Sequence, residues 1–165
     1  MNFDPASEAR LQNVMPTLAA KIRTLGEMLS QEGITIRVVQ GLRTWAEQDA
    51  LYAQGRTVPG KIVTNAKGGE SWHCLGCAVD CAPMNLDGTV DWNAGHQQWK
   101  RMEEVGVSLG LVSGANWVRL VDAPHFQLTG AFPMGAPSEE AQQIYQNEGA
   151  EAFWQQVDND TPTAA

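Results

Sequence analysis

No stretch of the chain approaches the ~18–20 consecutive apolar residues that a membrane-spanning helix needs, so stable membrane insertion is not expected. Basic residues are scarce: 11 Lys and Arg face 19 Asp and Glu, a formal net charge of −8. That balance excludes nucleic acid as a partner, because its binders need positive surface to displace counterions, and it disfavours electrostatic attachment to anionic lipid. The opening segment, Met1 to Glu8, has neither the basic nor the apolar region of a signal peptide. Synthesis in the cytoplasm is therefore expected, with separate release if the protein acts outside. Cysteine is limited to Cys74, Cys77 and Cys81, an odd set that cannot all pair within one chain. Their spacing beside His73 resembles a structural metal motif, but no further cysteine exists to complete one. Alternation along an extended segment would instead place Cys77, Val79 and Cys81 on one face as small buried apolar groups.

Against these absences stands one concentration of chemistry. Only three histidines occur. Two of them lie in short segments that also carry carboxylates, Ser71-Trp72-His73-Cys74-Leu75-Gly76-Cys77-Ala78-Val79-Asp80 and Asp122-Ala123-Pro124-His125. Three ligands plus a spare carboxylate is the inventory of a catalytic zinc site, with the fourth position left for water. Each residue alone has a plainer reading: a hydrogen-bonded structural histidine, or an aspartate capping a turn. The grouping of four in two segments favours metal. His96 lies apart and is expected to be solvated.

Composition and periodicity bound the architecture. At 165 residues, with 43% hydrophobic and 18% charged residues, residues 1–165 are expected to form one domain with a core that needs no disulfide staples. Leu11, Val14, Met15, Leu18, Ile22, Leu25 and Leu29 recur at helical spacing, with a kink or restart expected at Pro16. Residues 34–39 read as a strand, and Thr44-Trp45-Ala46-Glu47 as a capping box opening a helix to about Gln54. A long loop follows from Gly55 to Gly69, extended at 62–64. Next come a strand at 76–82, a turn around Asp87-Gly88 and a helix from Ala94 to Leu109, with Trp99, Met102, Val105 and Val107 available to a core. Short strands are expected at 116–120 and 125–128, helices over 138–157 divided at Gly149, and a frayed tail at 158–165. Short strands with flanking helices indicate an α+β fold with a small, mainly antiparallel sheet.

The motif residues themselves resemble a known family. Ser71-x-His73-x-x-Gly76-x-Ala78-x-Asp80 followed by Asp122-x-x-His125 is similar to the zinc peptidoglycan peptidases, which include D-Ala-D-Ala carboxypeptidases, dipeptidases and L-alanyl-D-glutamate endopeptidases. Gly41-Leu42-Arg43-Thr44 with Glu47-Gln48, the Leu51 to Ala66 segment, Asn116-Trp117 and Pro124-His125-Phe126-Gln127 extend the resemblance over about residues 30–130. It implies a hedgehog/DD-peptidase-like fold and one zinc ion held by His73, Asp80 and His125. Asp122 would be the general base and Arg43 the group that meets a substrate carboxylate or oxyanion. Ser71, Gln48 and Trp117 would contact substrate. An aspartate at position 122, rather than glutamate, is similar to the L-alanyl-D-glutamate endopeptidases closest to phage endolysins. The expectation is thus a monomeric zinc endopeptidase acting on peptidoglycan stem peptides of the cell wall, in host lysis. The alternatives are carboxypeptidase or dipeptidase activity, or a non-catalytic zinc-containing wall-binding domain. Two departures stand out: Asn116 occupies a position where aspartate is common in relatives, and three cysteines crowd the zinc motif.

Overall fold

The computed structural model describes residues 3–118 and 121–161. Helices α1 (Pro5–Leu11), α2 (Pro16–Gln31), α3 (Trp45–Ala53), α4 (Gln97–Ser108), α5 (Glu139–Glu148) and α6 (Ala150–Asn159) surround strands β1 (Ile36–Gln40), β2 (Ala78–Pro83), β3 (Val112–Ser113) and β4 (His125–Gln127). The strands form one antiparallel sheet in the order β1-β2-β4-β3. This is the α+β class expected.

Pro16 does more than kink a helix. It stands at the first position of α2, where its missing N–H costs nothing, and a separate α1 precedes it with Asp4 accepting from the amides of Ala6 and Ser7. The apolar stripe of α2 buries Leu18, Ile22, Leu25 and Leu29, and the helix packs against α4, which supplies Trp99, Met102 and Val105. Val107, expected in that core, is exposed because it lies two residues beyond Val105, off the buried stripe of α4.

Strand β1 lies at a sheet edge, and edge amides left bare invite misplaced pairing. Here α1 covers them: Val38 donates its N–H to Ser7 Oγ at 3.1 Å, and Arg10 Nη1 donates to the Val38 carbonyl at 3.2 Å. Between Val38 and Gln40 the register with β2 slips by one residue. Such a bulge bends the strand, and the chain leaves β1 toward Gly41 and the site. Residues 62–64 are unpaired.

The strand expected at 116–120 is not formed where the chain is described. Pairing with β4 occurs earlier, at Val112–Ser113, and a 3-10 turn at Gly114–Asn116 follows, with Ser113 accepting from the Ala115 amide. Arg119 and Leu120 of that expected strand, and residues 162–165 of the expected tail, lie outside the described residues. Asp158 is no frayed end. It sits in α6 and accepts the Thr17 hydroxyl at 2.9 Å, near the start of α2.

The three thiols are free and buried. Burial pushes all three pKa values upward, as expected for core residues. Behind them, Trp154 Nε1 of α6 donates to the Leu75 carbonyl at 2.7 Å. That indole lies against Gly76, which has φ +69° and no room for a side chain: a Cβ there would meet the Trp154 ring at 2.7 Å. The left-handed backbone and the close ring both require glycine. Gly76→Ala should therefore lower unfolding stability by about 1–3 kcal/mol, read as a lower urea midpoint with unchanged slope. An unchanged midpoint would mean that neither constraint is felt.

Candidate metal centre

Two adjacent strands and one short turn bring the site together. Asp80 on β2 and His125 on β4 are directly opposed in register, which sets their side chains side by side. His73 comes from the 3-10 turn Trp72–Leu75, which ends at the left-handed Gly76 and feeds β2. The outcome is a tight triangle: His73 Nε2 lies 3.2 Å from Asp80 Oδ1 and 3.2 Å from His125 Nδ1, and His125 Nδ1 lies 3.4 Å from the same carboxylate oxygen. Among the described residues, these three form the one group of at least three His, Cys, Asp or Glu donors within 4.8 Å of one another. No thiol joins it.

The outer ring nitrogens decide what the inner ones can do. His73 Nδ1 lies 2.9 Å from the Gly41 carbonyl, and a carbonyl can only accept. His73 therefore carries its proton on Nδ1 and turns the Nε2 lone pair inward. His125 Nε2 lies 2.9 Å from Gln127 Oε1. Gln127 Nε2 is itself committed to the Met134 carbonyl at 2.7 Å, so the amide oxygen faces the ring and accepts its proton. The neutral His125 then aims its Nδ1 lone pair at the same point. With both rings neutral, two lone pairs and a carboxylate converge, an arrangement that a divalent cation relieves. Acceptors on the outer ring nitrogen, which fix the tautomer of each imidazole, are the usual companions of metal-bound histidine. The donor set fits zinc, which takes nitrogen and carboxylate oxygen in three-ligand catalytic sites.

Without a cation, the same cluster is balanced by a proton on an imidazole beside the Asp80 carboxylate, and a bound cation would take that proton's place. Burial works to raise the Asp80 pKa, but the two imidazoles outweigh it and hold the carboxyl far below its ordinary range. Burial works to lower that of His125, and the Asp80 carboxylate outweighs it, raising the value. Asp122 is shifted opposite to Asp80. Burial, then the neighbouring Asp80 charge, raises its pKa, which makes it a stronger base than a solvated carboxylate. It lies beside the triangle without joining it. Its position is set by backbone: the Asp122 N–H donates to the Gly114 carbonyl at 2.9 Å, and the His125 N–H closes a turn onto the Asp122 carbonyl at 3.1 Å.

All four acidic and imidazole groups open into a cleft of about 1060 Å³. Arg43, Ser71, Trp117 and Asn116 also line it. Arg43 is tied to the metal turn by its N–H, which donates to the His73 carbonyl at 3.1 Å. Trp117 packs on His125, their ring centroids 5.0 Å apart. Gln48 is placed differently from expectation. It is 0% exposed and stands behind Arg43, accepting from Arg43 Nη1 at 2.7 Å and donating to the Ala66 carbonyl at 2.8 Å. Its polar atoms face the protein, so it orients Arg43 and does not line the cleft. His96 is outside the site, bonded to Asp91 Oδ2 at 2.7 Å.

Sequence reasoning assigned no role to Gln127 or Gly41. The signal for Gln127 was its i+2 relation to His125 on a strand, which puts both side chains on one face. Gly41 acts through a carbonyl, which no residue type announces.

Comparison with known proteins adds independent findings. A profile of the VanY family, described as D-alanyl-D-alanine carboxypeptidase, matches residues 11–130. The peptidoglycan L-alanyl-D-glutamate endopeptidase CwlK of Bacillus subtilis is 36% identical over 120 residues, 68% of this chain and 72% of that protein. Among solved structures, the L-Ala D-Glu endopeptidase ChiX of Serratia marcescens superposes with a TM-score of 0.57 at 28% identity, covering 78% of this chain and 90% of its own. A vancomycin-resistance D,D-pentapeptidase VanY, solved with Zn(II), shares the fold with a TM-score of 0.50 at 17% identity over 82% and 80% of the two chains. The α5–α6 hairpin lies beyond the matched profile.

Gln127→Ala leaves the three inner donors in place but frees the His125 ring to turn. Zinc affinity should fall by about 10–100-fold, measured by chelator competition, with the fold retained. Unchanged affinity would show that the tautomer is fixed by something other than Gln127.

Proposed function

The chain belongs to the VanY family of peptidoglycan peptidases, and on that premise we propose that it is a zinc-dependent endopeptidase cutting the L-Ala–D-Glu bond of stem peptides. The observation that carries the reading is the inward convergence of two tautomer-fixed imidazoles and Asp80, with Asp122 beside them as an unused carboxylate. A structural zinc site fills all four positions with protein ligands and has no need of a spare base. This one supplies three and keeps the carboxylate, which favours catalysis over a wall-binding role.

His73, Asp80 and His125 would hold the ion, which when bound supplies Lewis acidity to a scissile carbonyl and to water. The remaining steps belong to the chain. Asp122, with its raised pKa, accepts a proton from the attacking water and returns it to the leaving amine as the C–N bond breaks. Arg43, braced by Gln48 and by the His73 carbonyl, presents its guanidinium to a carboxylate of the stem peptide. Ser71 and Trp117 complete the wall around the scissile segment.

The choice of bond rests on the 36% identity to an L-alanyl-D-glutamate endopeptidase and on aspartate at position 122. We assign the protein to the cell wall as its place of action, in lysis of a host by a phage-encoded enzyme and as a monomer. No helix among the described residues is long and apolar enough to cross a membrane.

Digesting purified peptidoglycan and labelling new amino groups should reveal amino-terminal glutamate, with L-alanine left on the muramic acid. Release of free D-alanine without new glutamate termini would assign carboxypeptidase activity instead. Asp122→Asn should retain stoichiometric zinc while turnover drops ~10²–10⁴-fold, the range of general acid–base catalysis. Loss of zinc from that variant would make Asp122 a ligand, and near-wild-type turnover would remove it from the mechanism.

A further inference from the structure

Residues 63–66 line the cleft, as does Leu51 of α3. The loop that carries this stretch of cleft wall has little packing to hold it. Val58, Ile62 and Val63 are 46%, 57% and 55% exposed, so burial of its apolar side chains contributes little to its shape. Its conformation depends on polar ties, which run to Arg56 on the outer side and to Gln48 on the inner. Arg56 Nη1 donates to the Tyr52 carbonyl at 2.6 Å and to the Thr64 carbonyl at 3.0 Å, while Nη2 donates to Asn65 Oδ1 at 2.8 Å. The guanidinium carbon lies 4.0 Å from the Tyr52 ring centroid, in cation–π contact. One planar fork thus joins the last turn of α3 to two consecutive residues of the wall. A lysine ammonium offers no such fixed fork. The loop also closes on itself: Gly55 donates its N–H to the Val58 carbonyl at 3.0 Å, and its φ of +71° leaves no space for a Cβ against Ile62. On the inner side, Gln48 Nε2 reaches the Ala66 carbonyl, which links the same wall to Arg43.

We propose that Arg56 is a positioning residue for peptide recognition: it clamps residues 63–66 in place as a binding wall, and so sets how tightly the stem peptide is held, without touching it. Arg56 is not among the residues lining the cleft, whereas Val63, Thr64, Asn65 and Ala66 all are. Arg56 is separate from the metal triangle and from Asp122, so its loss acts on binding and leaves the chemistry alone. The inference rests on the reading of this cleft as the peptide site.

The test compares the full-length zinc-loaded protein with Arg56→Ala and Arg56→Lys. Amide hydrogen exchange at Ala66, whose N–H donates to Thr64 Oγ1 at 3.2 Å, reads the clamp without substrate, and steady-state kinetics on purified stem peptide read the wall. Arg56→Ala should speed exchange there by about 10-fold or more and raise KM by about 10-fold, with kcat within about twofold and zinc content unchanged. Arg56→Lys keeps the stacking on Tyr52 but loses the fork, and should fall between. Unchanged exchange in Arg56→Ala overturns the clamp. Faster exchange with unchanged KM overturns the wall, and a fall in kcat at constant KM overturns the separation from chemistry. If the wild-type protein neither binds nor cuts stem peptide, the peptide reading and the wall fall together, while the exchange data still decide the clamp.

Discussion

Two imidazole lone pairs pointed at one carboxylate are the constraint around which the molecule is arranged. Left to themselves, these groups repel, and each neutral histidine would sooner turn its protonated nitrogen inward. Gly41 and Gln127 prevent that by taking the outer protons. The bulge after Val38 delivers Gly41, and the i+2 spacing on β4 delivers Gln127. The β2–β4 register sets Asp80 opposite His125, so a slip of one residue would turn one of them out of the site. Sheet and site are therefore specified by the same pairing.

The rest of the chain holds that arrangement from behind and flanks it in front. At the back, α6 braces the turn that carries His73 through the Trp154–Leu75 bond, with Gly76 leaving room for the indole. Asp158 and Thr17 tie the same helix to α2. In front, Arg43 is fixed by one backbone bond and one side-chain bond, and Gln48 carries the second on to the cleft wall. The triangle of His73, Asp80 and His125 is thus held by sheet register and buried hydrogen bonds, and the cleft wall in front of it by polar ties.

Much of this was legible in the residues. The alternation through Cys77, Val79 and Cys81 read correctly as core, because strand period and cysteine's apolar character point the same way. The capping box at Thr44–Glu47 fixed the start of α3 for a local reason that needs no tertiary partner. Where the reading departed from the structure, long-range packing had decided the outcome. Val107 was expected in the core for its apolar side chain, but two residues beyond Val105 it lies off the buried stripe and faces the cleft. The strand expected at 116–120 was anticipated by pairing at Val112–Ser113, since Gly114 is needed where Asp122 and His125 approach the backbone: a Cβ there would meet the Asp122 carbonyl at 2.6 Å. Gln48 looked like a cleft residue because its motif neighbours Arg43. Only the fold shows that it faces inward, holding Arg43 from behind. Nor could spacing reveal Gly41, whose contribution is a carbonyl.

The central claim is that His73, Asp80 and His125 together bind zinc through the atoms that converge here. X-ray absorption on the zinc-loaded protein tests it directly. The account predicts two imidazole nitrogens and a carboxylate oxygen at about 2.0–2.2 Å, with a further light-atom ligand and no sulfur. A zinc–sulfur distance near ~2.3 Å would mean that a cysteine binds the ion, and failure to take up one zinc per chain would mean that the triangle is not a metal centre.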